Sequence, residues 1–365
     1  MTKLIEKDGQ IQVNYLNSEN QKFDVSQCGK IVAPKSNPKE VIESCLAVLD
    51  LIKEKRAPDG VLLDRTKISC SRKGTYKNGE DYDVLDKILG KGLNGQIVVV
   101  RDKKLGSEHA LKTVMLAYFD SNEIRCWTDL EGYNNFPSLY MFNKQNGQIE
   151  FHYEILDKAV TISDIIDNHM LKMRENHELL RHFSLYVLQG LLEASSVMHS
   201  KNWLHDDLHE NNAMLQAKPS SELKVRVLDF GRAKKLDKKA TITNDIHQII
   251  RVFTSVYVTE KFQNATDLQK NWEVKLQEQA KELQLSKENK DELLNLIKIA
   301  LDVHLTEQEI ELKEMVDCKL KDSLVENPDI MKEICKLIFP DYSLETDNVD
   351  AGSSDFISFN IFKIG

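Results

Sequence analysis

The chain has 365 residues, 41% of them hydrophobic and 29% charged, which fits a packed globular protein and excludes a disordered one. A net charge of -9 argues against a general nucleic-acid binder. Six scattered cysteines with no C-x-x-C pair read as reduced thiols, not a disulfide framework or zinc site, and no apolar run is long enough to span a bilayer.

In chain order, alternating runs such as Ile11-Gln12-Val13-Asn14-Tyr15 predict paired strands within residues 1–37. Asn37-Pro38 opens a predicted helix with Val41, Ile42, Cys45, Leu46, Leu49 and Ile52 on one face, ended by Ala57-Pro58-Asp59-Gly60. Residues 71–80 read as a polar linker. From Tyr82 to Val114 the pattern is strand, glycine turn, strand, turn, strand. Gly90, Gly92 and Gly95 form G-x-G-x-x-G, and Ile97-Val98-Val99-Val100 follows. Glycines let a hairpin turn tightly and bring backbone N–H groups near phosphate oxygens. A β-branched run after them, where a dinucleotide-binding turn needs a helix, favours a hairpin lid.

The next strand carries Ala110 and Lys112, and a helical segment with Glu123 and Asp129 follows. Ile149 to Leu156 is a strand ending in a hinge. Residues 158–200 are mainly helical, with Leu180, Phe183, Val187, Leu191, Ala194 and Met198 forming a buried stripe. That helix delivers the chain into His205-Asp206-Asp207-Leu208-His209-Glu210-Asn211-Asn212. Two short apolar runs then lead to Leu228-Asp229-Phe230-Gly231, so both acidic loops emerge at one edge. From about Asp267 to Ile338 the chain is charged and helical, and the rest is acidic and then apolar, either a docked strand or a tail.

These motifs, in this order, resemble the protein kinase superfamily over about residues 82–260. The resemblance implies an α+β, two-lobed fold: a small antiparallel sheet in the N-lobe and a mainly helical, atypical C-lobe. It implies ATP with Mg²⁺ or Mn²⁺ as cofactors. On the same footing, Gly90, Gly92, Gly95, Ile97 and Ala110 belong to the nucleotide site, and Lys112 pairs with the α- and β-phosphates. Glu123 is the expected partner of Lys112, with Asp129 as fallback. Tyr153 controls access behind the adenine, whose edge faces backbone groups of Glu154 and Leu156. Asp207 orients an acceptor hydroxyl and takes its proton, while Asn212 and Asp229 hold the metal. A zinc reading of His199, His205 and His209 is disfavoured by the absence of a nearby cysteine, and His205 is read as the packing histidine of the loop.

Four departures from the kinase pattern stand out. Asp206 replaces the arginine of H-R-D, so loop phosphorylation is not the expected switch. His209 replaces a lysine, giving D-L-H-x-x-N, as in aminoglycoside and choline phosphotransferases. No A-P-E follows Asp229, and only 16 positions separate it from Asp245, the residue expected to brace the catalytic loop. In place of a peptide platform stands a basic run with Arg232, Lys234, Lys235, Lys238 and Lys239, read as a solvated charge run or as a site for a polyanion such as an inositol phosphate.

The expected organisation is an N-terminal extension over 1–80, an N-lobe over 81–157, a C-lobe core over 158–262, a helical subdomain over 263–342 and a tail over 343–365. The expected activity is γ-phosphoryl transfer to a hydroxyl, first to protein Ser/Thr. A small-molecule, inositol or lipid kinase is the alternative, followed by a pseudokinase scaffold or an AMP-transferring kinase fold. Composition and the lack of an N-terminal signal core are compatible with a cytoplasmic location. They also fit the effector kinases that bacterial pathogens inject into host cells, which the atypical core resembles.

Overall fold

The computed structural model describes residues 2–7, 10–16, 22–24, 30–32, 60–62, 64, 66–69, 76–92, 95–145, 147–218, 223–236, 241–259, 261, 274, 278, 281 and 285–340. The helix expected after Asn37-Pro38, the hairpin tip at Leu93-Asn94, Lys238 and Lys239, and the acidic-then-apolar C-terminal segment lie outside these residues.

The alternating run at the start pairs as expected. Strand β1 (Thr2–Lys7) runs antiparallel to β2 (Gln10–Leu16) with Leu4 opposite Val13, and β2 pairs with β3 (Lys22–Asp24). A second sheet has seven strands in the order β4-β5-β9-β10-β8-β7-β6. Its edge strand β4 (Lys30–Val32) and the adjacent β5 (Gly60–Leu62) are parallel to each other. The rest is antiparallel: β6 (Tyr82–Gly92), β7 (Gly95–Asp102), β8 (Glu108–Met115), β9 (Leu139–Gln145) and β10 (Gln148–Tyr153).

Because side chains alternate along a strand, Ala110 and Lys112 share one face of β8 while His109 and Leu111 share the other. The His109 face is covered by chain that lies between β5 and β6. Tyr76 is buried there, stacks on Tyr82 with ring centroids 4.9 Å apart, and donates its hydroxyl to Asp102 Oδ2 at 2.9 Å. The described end of the segment read as a polar linker is therefore part of a core. Its one tyrosine outweighs its polar neighbours because burying an aromatic ring with a satisfied hydroxyl is favourable.

Helix α1 (Ser121–Asp129) starts where the Asp120 carboxylate accepts the Asn122 N–H. The second lobe opens with β11 (Ala159–Thr161), α2 (Ile162–Asn168), α3 (Met170–Met173) and the long α4 (His177–Ser200), whose N-terminal N–H groups are capped by Asn176. The stripe from Leu180 to Met198 is buried as expected. Short strand β12 (Trp203–Leu204) follows α4. The hairpin of β13 (Ala213–Ala217) and β14 (Leu223–Val227) then separates the two acidic loops. At Gly190 a Cβ would meet the Val225 side chain at 2.5 Å, so α4 can approach β14 this closely only with glycine there.

Strand β15 (Lys234–Lys235) pairs with β12, and α5 (Thr243–Val258) packs against the loop that begins at His205. Helices α6 (Lys287–Leu301), α7 (Thr306–Glu326) and α8 (Ile330–Ile338) complete the lobe, α6 against α5 and both α7 and α8 against α4. One apolar core runs from Phe151 under the sheet through Phe230 to Ile334 in α8. The fold is α+β, a mainly antiparallel sheet followed by a mainly helical lobe. Among the described residues, no helix is long and apolar enough to cross a membrane.

Candidate active site

Strand β8, helix α1 and the loop carrying Asp229 converge on one cation. Lys112 Nζ lies 2.7 Å from Glu123 Oε1 and 2.7 Å from Asp229 Oδ1. Burial alone would push the ammonium down, but the two carboxylates outweigh it and hold Lys112 above the usual lysine range. Burial would likewise raise Asp229, yet the Lys112 charge and the Gly231 N–H hold its carboxyl below the usual range. Asp229 has φ +62°, a conformation that costs a non-glycine residue energy. Its neighbour secures it: Phe230 is fully buried, with ring centroids 5.5 Å from Trp127, 5.8 Å from Phe136 and 5.7 Å from His205. Asp129, the fallback partner for Lys112, is engaged elsewhere. Its Oδ2 accepts the Trp203 indole N–H at 2.8 Å and lies 3.5 Å from Lys235 Nζ.

The loop from His205 to Asn212 is gripped by one polar stripe on α5. Asp245, Gln248, Arg251 and Ser255 are spaced three or four residues apart and so share a helix face. Asp245 Oδ2 accepts the His205 N–H and Oδ1 accepts the Asp206 N–H, both at 2.9 Å. Gln248 accepts the Leu208 N–H at 2.6 Å, Arg251 donates to the Leu208 carbonyl at 2.9 Å, and Ser255 donates to Glu210 at 2.8 Å. His205 is buried and donates from Nε2 to the Leu228 carbonyl, joining the two acidic loops through packing and one hydrogen bond. With its neighbours fixed, Asp207 keeps a side chain one-third exposed, and Arg232 Nη1 is 3.9 Å from its Oδ1. The Asn212 amide donates from Nδ2 to the Asp207 carbonyl at 2.9 Å, which leaves the amide oxygen as the group to meet a cation.

The donor set fits the expected metal. One carboxylate and one amide oxygen suit Mg²⁺, which takes few protein oxygens and fills its octahedron with phosphate and water. Among the described residues no three His, Cys, Asp or Glu side chains are grouped to hold a metal unaided.

Ala110 is buried opposite Tyr153 across the β8–β10 pair, and Ile97 faces Lys112 across β7–β8. Gly92 and Gly95 oppose each other where the hairpin closes, whereas a Cβ on Gly90 would meet Ile97 Cδ1 at an ordinary 3.6 Å. Glu154 donates its N–H to the Ser138 carbonyl at 2.9 Å, and its side chain accepts from the buried Arg226 guanidinium at 2.8 Å. Leu156 is half-buried at the end of this hinge.

The described lysines of the basic run serve the fold. Lys234 Nζ pairs with Asp206 Oδ2 at 2.7 Å, and Asp206 Oδ1 accepts from Asn244 at 2.5 Å. Lys235 Nζ lies 3.7 Å above the Trp203 ring as well as near Asp129. Sequence reasoning passed over Gln248, Arg251 and Ser255, whose signal is polar residues at helical spacing in an otherwise apolar helix. It also passed over the Arg226–Glu154 pair, which leaves no local signal.

A hairpin-lidded sheet over a helical lobe, with a lysine–carboxylate pair facing two acidic loops, defines a kinase-like nucleotide site. Residues 83–270, just over half the chain, match the protein kinase domain, and the chain belongs to that family. It is 25% identical to Calcium-dependent protein kinase 4 of Plasmodium falciparum over 40% of this chain and 27% of that protein. It is 28% identical to Mitogen-activated protein kinase PMK11 of Pyricularia oryzae over 46% of this chain and 45% of the relative. It is 29% identical to Extracellular signal-regulated kinase 2 of Dictyostelium discoideum over 44% and 42% respectively. The chain thus spans between about a quarter and a half of the length of these relatives.

Proposed function

We propose that this chain is an ATP-dependent kinase transferring a γ-phosphoryl group to Ser or Thr hydroxyls of proteins. The observation that carries the proposal is the Lys112 ammonium bridging Glu123 and Asp229 at 2.7 Å each. Phosphoryl transfer in this family needs the lysine–glutamate pair and the metal-loop aspartate in place together. ATP with Mg²⁺ or Mn²⁺ supplies the phosphoryl group and the charge that neutralises it. Lys112 pairs with the phosphates, Asn212 and Asp229 are the residues to hold the metal, and the hairpin of Gly90, Gly92 and Gly95 offers backbone N–H groups. Ile97, Ala110 and the backbone of Glu154 and Leu156 hold the base. Asp207 orients the acceptor hydroxyl and accepts its proton. Similarity to calcium-dependent and mitogen-activated protein kinases favours a protein acceptor.

One observation favours a second reading, a lipid, inositol or small-molecule kinase. Helix α5 already begins at Thr243, so little chain is left after Gly231 to build a peptide platform. A polyanion site on the basic run forms no part of the proposal, since Lys234 and Lys235 already face Asp206 and Asp129. A bacterial effector role rests on composition and the atypical core, and the three relatives named above lend it no support. Radiolabelled ATP offered with protein, lipid and inositol phosphate acceptors separates the readings. Label on protein Ser or Thr is expected. Label confined to the lipid or inositol fraction replaces the first reading with the second, and a product heavier by AMP overturns both.

A further inference from the structure

We infer that Glu309 is a positioning residue for the catalytic loop, acting through the His199 ring and the Asp245 carboxylate. The inference rests on the kinase reading, because it gives Glu309 its purpose. Glu309 lies on α7, beyond residues 83–270 that match the family, in the charged helical segment for which the sequence offered no role. It is fully buried, and its Oε2 is 2.7 Å from His199 Nδ1. His199 Nε2 lies 3.0 Å from Asp245 Oδ2, the same oxygen that accepts the His205 N–H. The line of contacts therefore runs from α7 through the last turn of α4 into α5. It ends on two backbone N–H groups directly before Asp207.

The chemistry of the ring gives this line its effect. An imidazole between two carboxylates donates from both nitrogens, which requires the imidazolium form. Burial pushes His199 down, but hydrogen bonds and charge from Asp245 and Glu309 outweigh it and raise it to about 9. The groups facing His199 are Asp245 from α5, Glu309 from α7 and, on its own helix, the Ser195 hydroxyl 3.2 Å from Nε2. Without Glu309 the ring faces a single carboxylate, and one of the two charges that raise it is lost. The positive charge that compensates the buried Asp245 carboxylate is then less firmly held.

Stability alone is a poor reason for this arrangement. A buried ion pair often stabilises no more than apolar packing of equal volume. Glu309 Oε1, moreover, is buried without a hydrogen-bond partner among the described residues. An oriented imidazolium that fixes the loop accounts for keeping the charge. It also makes the helices after residue 270 part of the catalytic unit.

The test compares the full-length protein with Glu309→Gln, His199→Gln and the double variant. It reads kcat, nucleotide Kd, amide exchange at His205 and Asp206, and the His199 titration by NMR. The expected result is a fall in kcat of about 10- to 100-fold for Glu309→Gln, as for a small misplacement of a catalytic group. Nucleotide Kd is unchanged, exchange at the two amides is faster, and the His199 titration moves down by roughly one pH unit or more. The double variant loses no more kcat than His199→Gln alone. Additive losses, unchanged amide exchange or an unmoved titration overturn the inference. Should Glu309→Gln not fold, the wild-type titration decides: a raised His199 midpoint supports the inference and one near 6.5 overturns it. Absence of phosphoryl transfer in the wild type would instead refute the kinase reading, leaving exchange and titration to judge Glu309.

Discussion

Replacing Asp245 with Asn perturbs the brace while keeping its shape. The carboxylate accepts three donors: the His205 N–H at 2.9 Å, the Asp206 N–H at 2.9 Å and His199 at 3.0 Å. An amide has one oxygen, so at least one donor is left facing an NH₂ group. A buried unsatisfied donor costs about 1–3 kcal/mol, and losing the charge opposite His199 removes a charge-assisted bond of about 1.5–3 kcal/mol. Together the two costs come to about 2.5–6 kcal/mol, which brackets the usual cost of breaking a buried ion pair, about 3–5 kcal/mol. It is a large share of the roughly 5–15 kcal/mol that holds a domain together. The assay is urea unfolding followed by tryptophan fluorescence, since Trp127 and Trp203 are both buried near the loops. The midpoint should fall by about 1 M or more at unchanged slope. Nucleotide Kd should hold, because Lys112 and Asp229 do not touch Asp245. An unshifted midpoint would refute the brace.

Three further outcomes follow from the same contacts. His199 is raised from 6.5 to about 9 on folding, so its charge contributes stability that is complete below about pH 6.5 and lost as pH rises through 9. The loss is about 3 kcal/mol, read as a falling Tm between pH 6 and 10 that His199→Gln flattens. Gly190→Ala forces a methyl group onto Val225 and should destabilise by about 1–3 kcal/mol in the same unfolding assay; a neutral outcome would mean that α4 is free to shift. Because Lys234 already faces Asp206, phosphatase treatment of the purified protein should leave its activity unchanged, and a phosphatase-sensitive activity would contradict the pairing's role.

The parts of the site that were legible in the sequence are those whose chemistry is written locally. Gly92 and Gly95 close a hairpin because a strand follows them. Lys112 sits at a fixed offset on the next strand. Asp207, Asn212 and Asp229 keep their spacing around two short strands. Even the Asp245 brace could be placed from its helix. What escaped was contact at long range. Lys234 and Lys235 looked like a solvated basic run because their acids, Asp206 and Asp129, lie 28 and 106 residues away. Tyr76 was hidden in a run of polar residues, although its hydroxyl has a buried acceptor in Asp102. Glu309 resembled every other glutamate of a charged helix until α7 folded it onto α4. A polar residue's partner across the fold leaves no trace in the periodicity around it.

The central claim is phosphoryl transfer from ATP with Asp207 as the base, and one measurement reaches it directly. Full-length protein, its Asp207→Ala variant and its Asp229→Ala variant are incubated with Mg²⁺ and γ-labelled ATP, and acceptor label and ATP binding are followed together. The account predicts label on a hydroxyl for the wild type alone. Asp207→Ala should still bind ATP, whereas Asp229→Ala should lose metal-dependent binding as well. Transfer that survives Asp207→Ala, or a wild type that binds ATP and labels nothing, would contradict it.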